Sequence, residues 1–348
     1  MSRGFGIGPT TAREQLQKTW PAHVGVQPLP AGSGSAVAAQ KLGIVEDASP
    51  LTFFVIGDHG GVKDPTPQNA VTTAMESEEA PAFVYSLGDV VYFNGDASEY
   101  HPQFFEAYAH LNVPIVAIPG NHDGDTSDDA TRKPLDTFMA NFCASTPALP
   151  VGSEEYKRDT QTQPYCDWTL LHPQVTIIGL YTNVPSGGYL EPSQTEYLAM
   201  QLKAAPADVP VIVTMHHPPY SIDAHHGGSA KMGAAIDKAT EAAGRGPELV
   251  LSGHVHDYQR FTRTLHEGHV CTYVVSGNGG YHNLHKLAPG ASKGQELVPG
   301  VVFEAGDDAN WGYLKVTVAA GKISVQAVAV PLTGATSIID SFALPVVA

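Results

Sequence analysis

The chain has 348 residues, 43% of them hydrophobic, which is enough to bury one large α/β domain or two smaller ones. Its formal charge is −16, from 35 acidic against 19 basic residues, and no cluster of lysine and arginine is dense enough to track a nucleic-acid backbone. That balance argues against a nucleic-acid partner, and it requires any site for an anionic ligand to carry its own local positive charge, for which metal ions are an efficient source.

Residues 1–49 read as an N-terminal arm. A short helix is expected at Thr11–Trp20, stopped by Pro21, followed by a small-residue stretch over Ala31–Ala39. The arm lacks the 7–15-residue apolar stretch of a secretory signal, and no run in the chain reaches the ~20 apolar residues of a membrane span. No membrane partner is therefore expected. The location is taken as cytoplasmic by default, or periplasmic or secreted where an upstream signal has been removed. From residue 50 a different texture begins. Short apolar runs occur at Leu51–Asp58, Ala82–Asp89, Val113–Asn121, Val175–Asn183, Val209–His217, Glu248–His256 and Thr272–Gly280. Continuous apolar runs of this length suit strands buried on both faces of a sheet covered by helices. Helices are expected at Thr66–Glu79, Ser98–His110, Thr131–Phe142, Ser193–Ala204 and Ser229–Ala243. Beyond residue 300 the segments alternate, and those flanking Gly321 predict an antiparallel hairpin. The fold class is α/β with some antiparallel strands.

The polar residues fall at telling places. Five runs end in a residue able to bind a metal: Asp58, Asp89, Asn121, His216 and His254. In layered α/β folds the C-terminal strand ends form the edge where sites are built, so side chains distant in sequence can converge there. Singly these signals are weak, because a Gly-Asp after a strand is usually a turn and a lone histidine usually a satisfied core or surface residue. The segment Gly253-His254-Val255-His256 is stronger, since residues two apart in an extended stretch present two imidazoles to one side. The three cysteines are too few for a disulfide framework; Cys143 and Cys166 are read as free buried thiols, with a single bridge between them as the alternative.

Taken in order, Gly57-Asp58-His59-Gly60, Gly88-Asp89-Val90-Val91-Tyr92, Gly120-Asn121-His122-Asp123, Val213-Thr214-Met215-His216 and Gly253-His254-Val255-His256 resemble the five motifs of the calcineurin-like metallophosphoesterases. Within that superfamily the set is similar to the purple acid phosphatases, in which a tyrosine takes the place of a metal-binding histidine. Here Gly60 stands where most of the superfamily has that histidine, and Tyr92 stands three residues after Asp89. The resemblance implies a layered α-β-β-α sandwich of two mixed sheets flanked by helices, with residues 50–348 as the catalytic domain. It implies one metal held by Asp58, Tyr92 and His256, a second held by Asn121, His216 and His254, and Asp89 bridging both. Phenolate and carboxylate suit Fe(III), whereas imidazoles and an amide suit a divalent ion, Fe, Zn or Mn.

The implied reaction is hydrolysis of a small phosphate monoester by metal-activated hydroxide, with the leaving oxygen assisted by His122, oriented by Asp123, and by His226, with His225 as its alternate. The alternative is a phosphodiesterase or nucleotide pyrophosphatase with the same metal core. A catalytically inactive metal-binding protein is disfavoured because His122 and all seven ligands are present together. His59 and His217 carry no assigned task, and Asp257 is expected to add negative charge near the metals. The sequence leaves the oligomeric state open.

Overall fold

The structure, a computed structural model, describes residues 33–126, 131–150, 156–182, 188–265 and 268–345. The helix expected at Thr11–Trp20 lies outside the described residues. In chain order the strands are β1 (Ala36–Ala38), β2 (Leu51–Ile56), β3 (Val84–Ser86), β4 (Ile115–Ala117), β5 (Trp168–His172), β6 (Val175–Leu180), β7 (Val211–Met215) and β8 (Leu249–Ser252). They continue with β9 (Tyr258–Thr264), β10 (Val270–Ser276), β11 (Glu296–Val298), β12 (Val301–Asp307), β13 (Trp311–Ala319), β14 (Lys322–Val330) and β15 (Ser337–Pro345). Every expected apolar run overlaps one of these strands.

Among the described residues the strands form two mixed sheets, one in the order β1-β5-β6-β7-β8-β10-β9-β12-β11 and the other β15-β14-β13-β2-β3-β4. The consecutive pairs of β2, β3 and β4 are parallel, and so are those of β6, β7 and β8. Parallel neighbours need crossover connections. Helices α1 (Thr66–Glu76) and α2 (Ala97–Tyr100) supply them in the six-stranded sheet; α3 (Asn121–Gly124) and α4 (Asp136–Phe142) follow β4; α5 (Pro192–Ala204) and α6 (Ala230–Ala243) serve the nine-stranded sheet. This arrangement sends the C-terminal ends of six strands toward one region.

The two sheets bury their inner faces against each other. Phe53 and Phe83 stack with ring centroids 4.6 Å apart, and Tyr85 of β3 stacks on Trp168 of β5 while its hydroxyl meets Thr214 Oγ1 of β7 at 2.8 Å. Val71 and Met75 of α1 pack with Phe54 and Tyr313 on one outer face, and Leu198 of α5 and Ile236 of α6 pack with Val213 and Val250 on the other. The result is the α-β-β-α sandwich. The hairpin between β13 and β14 turns through Ala320 and Gly321, both at positive φ (49° and 70°), the pair that a two-residue turn matched to strand twist requires.

Three expectations change. Residues 36–44, assigned to the arm, belong to the packed body: β1 pairs in parallel with β5, and Ala39, Leu42 and Ile44 join the inter-sheet core. Small and apolar side chains in that stretch are what let it pack. The helix expected over Ser98–His110 is interrupted, because Pro102 lacks an N–H; α2 gives way at His101–Phe105 to a wider turn in which Glu106 N–H reaches back to His101 C=O. Likewise α4 starts at Asp136 and not at Thr131, since Pro134 disfavours helical backbone at the residue before it. Cys143, Cys166 and Cys271 are free thiols.

Candidate active site

Asp58 follows β2, Asp89 follows β3, Asn121 opens α3 after β4, His216 follows β7, and His254 and His256 lie in the turn from β8 to β9. Three of them adopt left-handed backbone, with φ of 54° at Asp58, 53° at Asp89 and 67° at His254. Such a conformation costs a residue with a Cβ about 1–3 kcal/mol and persists only where its surroundings enforce it. Cross-links between the loops do so here. Asp58 N–H donates to Gly88 C=O at 3.0 Å, His254 N–H to Asp58 Oδ2 at 2.6 Å, and Gly253 N–H to His216 C=O at 2.9 Å. Glycine permits the close approach at one point in particular: a Cβ on Gly120 would fall on Asp89 Oδ1 and Asp89 N and lie 2.7 Å from His216 Cε1.

The structure brings all seven expected ligand residues together. At one end Tyr92 Oη lies 3.4 Å from both Asp58 Oδ1 and His256 Nε2, and His256 Nε2 is 3.4 Å from Asp58 Oδ1. At the other, Asn121 Oδ1 lies 3.0 Å from His216 Nε2 and 2.8 Å from His254 Nδ1. Asp89 Oδ2 is 3.4 Å from His216 Nε2, and ligand atoms of Asp58, Asp89 and His216 all lie within 4.8 Å of one another. The ring nitrogens are aimed by their second bonds. His216 Nδ1 meets Leu87 C=O at 2.9 Å and His256 Nδ1 meets Asn283 C=O at 3.1 Å; a carbonyl only accepts, so each Nδ1 carries a proton, and in the neutral ring Nε2 is the atom left with a lone pair for a cation. Two opposed donor groups flanking Asp89 can hold two cations.

The same geometry places Tyr92 where Gly60 leaves room. A Cβ at Gly60 would lie 2.8 Å from Tyr92 Cδ2 and 2.6 Å from Gln103 Oε1, so a histidine at 60 and the tyrosine at 92 exclude each other. The neighbouring His59 turns into the core, bridging Ser86 Oγ at 2.8 Å and the Tyr108 hydroxyl at 2.9 Å, and burial lowers it to about 3. It is a satisfied core histidine.

Electrostatics shows what the cluster lacks. Among the described residues no lysine or arginine forms an ion pair with Asp58 or Asp89; their ionic partners are histidines. Burial opposes charge on His216, yet the Asp89 and Asp58 carboxylates outweigh it and raise the ring to about 9. Burial pushes the Asp58 carboxyl up, and it pushes the Tyr92 phenol well above its usual value, reinforced by the Asp89 and Asp58 carboxylates. A phenolate at Tyr92 therefore needs a cation beside it, which would reverse the sign of the local field.

The flanking residues differ in part from expectation. His122 does stand beside the cluster, its N–H donating to Asp89 Oδ1 at 2.8 Å, but its ring is oriented by Phe93 C=O, which accepts from Nδ1 at 2.6 Å. Asp123 does not touch that ring. It is buried and accepts from Gly120 N–H at 2.8 Å and Val90 N–H at 3.1 Å, so it ties the Asp89 loop to α3, and burial with the Asp89 charge raises it to about 7. Asp257 adds little charge: it is fully buried against the Gln259 amide, and burial raises its carboxyl well above the carboxylate range.

His225 and His226 stand on a loop whose N–H groups converge on the Asp223 carboxylate. The His226 ring lies 4.6 Å from His254, and burial lowers it to about 4. His217 packs 4.2 Å from His254 and meets Thr182 Oγ1 at 2.7 Å. His254 and His256 are not presented by an extended strand; the positive φ at His254 sends the two rings to opposite ends of the cluster. Sequence reasoning missed Tyr281 and His285, whose rings lie 4.5 and 4.3 Å from His256. Their loop carries no periodicity, and the only hint was Gly277–Gly280 at the end of a buried strand.

The family model for calcineurin-like phosphoesterases matches residues 51–258. The chain is 25% identical to purple acid phosphatase 15 of Arabidopsis thaliana over 69% of its own length and 46% of the relative's. It is 24% identical to a probable cyclic nucleotide phosphodiesterase of Rhodopseudomonas palustris, over 56% of its length and 64% of that relative's. A solved purple acid phosphatase from yellow lupin (Lupinus luteus) seeds has the same fold, with a TM-score of 0.61 at 18% identity, over 86% of this chain and 54% of that one. The chain thus spans about half the length of the two plant phosphatases.

Proposed function

The chain belongs to the calcineurin-like phosphoesterase family, and from that premise we propose that it is a phosphoric ester hydrolase cleaving phosphate monoesters at a centre of two metal ions. The observation that carries the reading is the pair of opposed donor groups, with Asp58, Tyr92 and His256 on one side of Asp89 and Asn121, His216 and His254 on the other. Their chemistry favours Fe(III) at the phenolate side and divalent Fe, Zn or Mn at the imidazole side. When bound, such a pair would supply positive charge for the phosphoryl oxygens and an acidified water. The protein's own share is orientation and proton supply. Because His122 Nδ1 donates to Phe93 C=O, only the doubly protonated ring has an Nε2–H left to donate to the leaving oxygen, and His226 stands over His254 on the far side.

His122→Ala and His226→Ala are expected to lower turnover about 10²–10⁴-fold with an alkyl phosphate, the range of general acid catalysis, while two metals per chain remain. The loss should shrink for a nitrophenyl ester, whose leaving group needs little protonation. Equal losses for both substrates would show that the histidines position phosphate and donate no proton. The diesterase reading is supported by the Rhodopseudomonas relative; faster turnover of a bis-ester than of a monoester by one preparation would favour it.

Tyr92 gives an optical test of the branch. Phenolate on Fe(III) absorbs in the visible range, so the oxidised, iron-loaded protein is expected to be coloured. Tyr92→Phe should bleach the band and weaken iron retention while sparing the imidazole-rich side. A band that survives the substitution would remove Tyr92 from the metal.

A further inference from the structure

His285 lies on the loop after β10 and takes no part in the ligand set, yet it is fastened to His256 twice. His285 N–H donates to His256 C=O at 2.9 Å, and His256 N–H donates to His285 Nδ1 at 3.3 Å. The two rings stack with centroids 4.3 Å apart and planes at 24°. The second bond fixes the tautomer. A backbone N–H only donates, so His285 Nδ1 must present its lone pair, and the proton of the neutral ring sits on Nε2. This is the reverse of His216 and His256, whose Nδ1 atoms donate to carbonyls. Asp223 Oδ2 lies 3.8 Å from His285 Nδ1, beyond hydrogen-bond distance, and the Asp223 carboxylate is already taken by the N–H groups of His225, His226 and Gly227.

Among the described residues His285 Nε2 has no hydrogen-bond partner, and the half-buried ring faces His226 and His225 at centroid distances of 4.7 and 5.1 Å. The neighbouring ring is incomplete as well: among the described residues the buried His226 Nδ1 has no partner. Two ring nitrogens lacking partners beside the ligand His256 suit an oxygen-rich anion entering between them.

We propose that His285 is a further substrate-contacting residue, a fixed Nε2–H donor to a phosphoryl oxygen of the ester. It cannot relay a proton while the His256 amide holds Nδ1, so its role is to bind the phosphoryl group and not to protonate the leaving oxygen. The assignment rests on the phosphoesterase reading above.

The test uses the metal-loaded protein, with metal content measured for every variant, nitrophenyl phosphate as substrate and inorganic phosphate as a ligand titrated by calorimetry. His285→Ala is expected to lower kcat/KM and phosphate affinity at least about tenfold, the weight of one hydrogen bond to a charged group. The shape of the pH profile and the count of two metals should not change, and His285→Gln, whose amide nitrogen donates from a similar reach, should recover most of the loss. Loss of a pH-profile limb, loss of a metal, or unchanged phosphate affinity in His285→Ala would each overturn the assignment. Wild-type protein inactive toward every ester would sink the phosphoesterase reading itself, and the phosphate titration would still decide His285.

Discussion

Asp89→Asn is expected to abolish turnover, by more than the ~10–100-fold that changes to groups behind the ligands typically cost. Asp89 stands between the two donor groups, with Oδ2 3.4 Å from His216 Nε2 and Oδ1 accepting from His122 N–H at 2.8 Å. In the proposed arrangement the carboxylate is shared by two cations, so the substitution removes its charge from both at once. The substitution is also clean. Asparagine is isosteric and is among the residues that best tolerate positive φ, so the 53° at this position survives. Thermal melting should therefore show a folded protein, and metal analysis should show fewer than two ions. Wild-type turnover with full metal content would remove Asp89 from the bridging position.

Gly120→Ala is expected to be nearly as damaging although it removes no ligand. The added methyl would fall on Asp89 Oδ1 and Asp89 N and press on His216 Cε1 at 2.7 Å, and none of these is the free end of a flexible chain. Relief requires the Asp89 loop or the β7 end to move, separating Asp89 from His216. Overpacking of this kind costs about 1–3 kcal/mol, and here it falls on the metal geometry itself. Lower metal content, turnover down at least about tenfold and a reduced melting temperature are the expected set. An alanine variant with unchanged metal content and activity would mean that the loops are looser than the packing around Gly120 indicates.

Much of the site was legible in the sequence because parallel strands buried on both faces write themselves as continuous apolar runs, and a run that stops at Asp58, Asp89 or His216 marks the sheet edge. The paired change at Gly60 and Tyr92 was legible for a steric reason that the structure makes explicit. Other features had no local signature. The stretch 36–44 read as part of the arm, because a three-residue edge strand of two alanines and a valine beside β5 leaves no periodicity. Asp123 sits next to His122 in the chain, but α3 turns its carboxylate back to the Gly120 amide, a contact set by helix geometry and not by adjacency. His285 reaches His256 only because the loop after β10 folds back over the turn from β8 to β9, a long-range pairing that neither segment encodes alone.

The most direct measurement is the metal content of the purified protein, followed by removal of the metal with a chelator and its restoration, with phosphoester turnover read at each stage. Two ions per chain, loss of turnover on chelation and its return with iron plus a divalent ion are the expected results. Turnover that persists in protein stripped of metal, or a chain that binds one ion or none when fully active, would contradict a two-metal phosphoesterase.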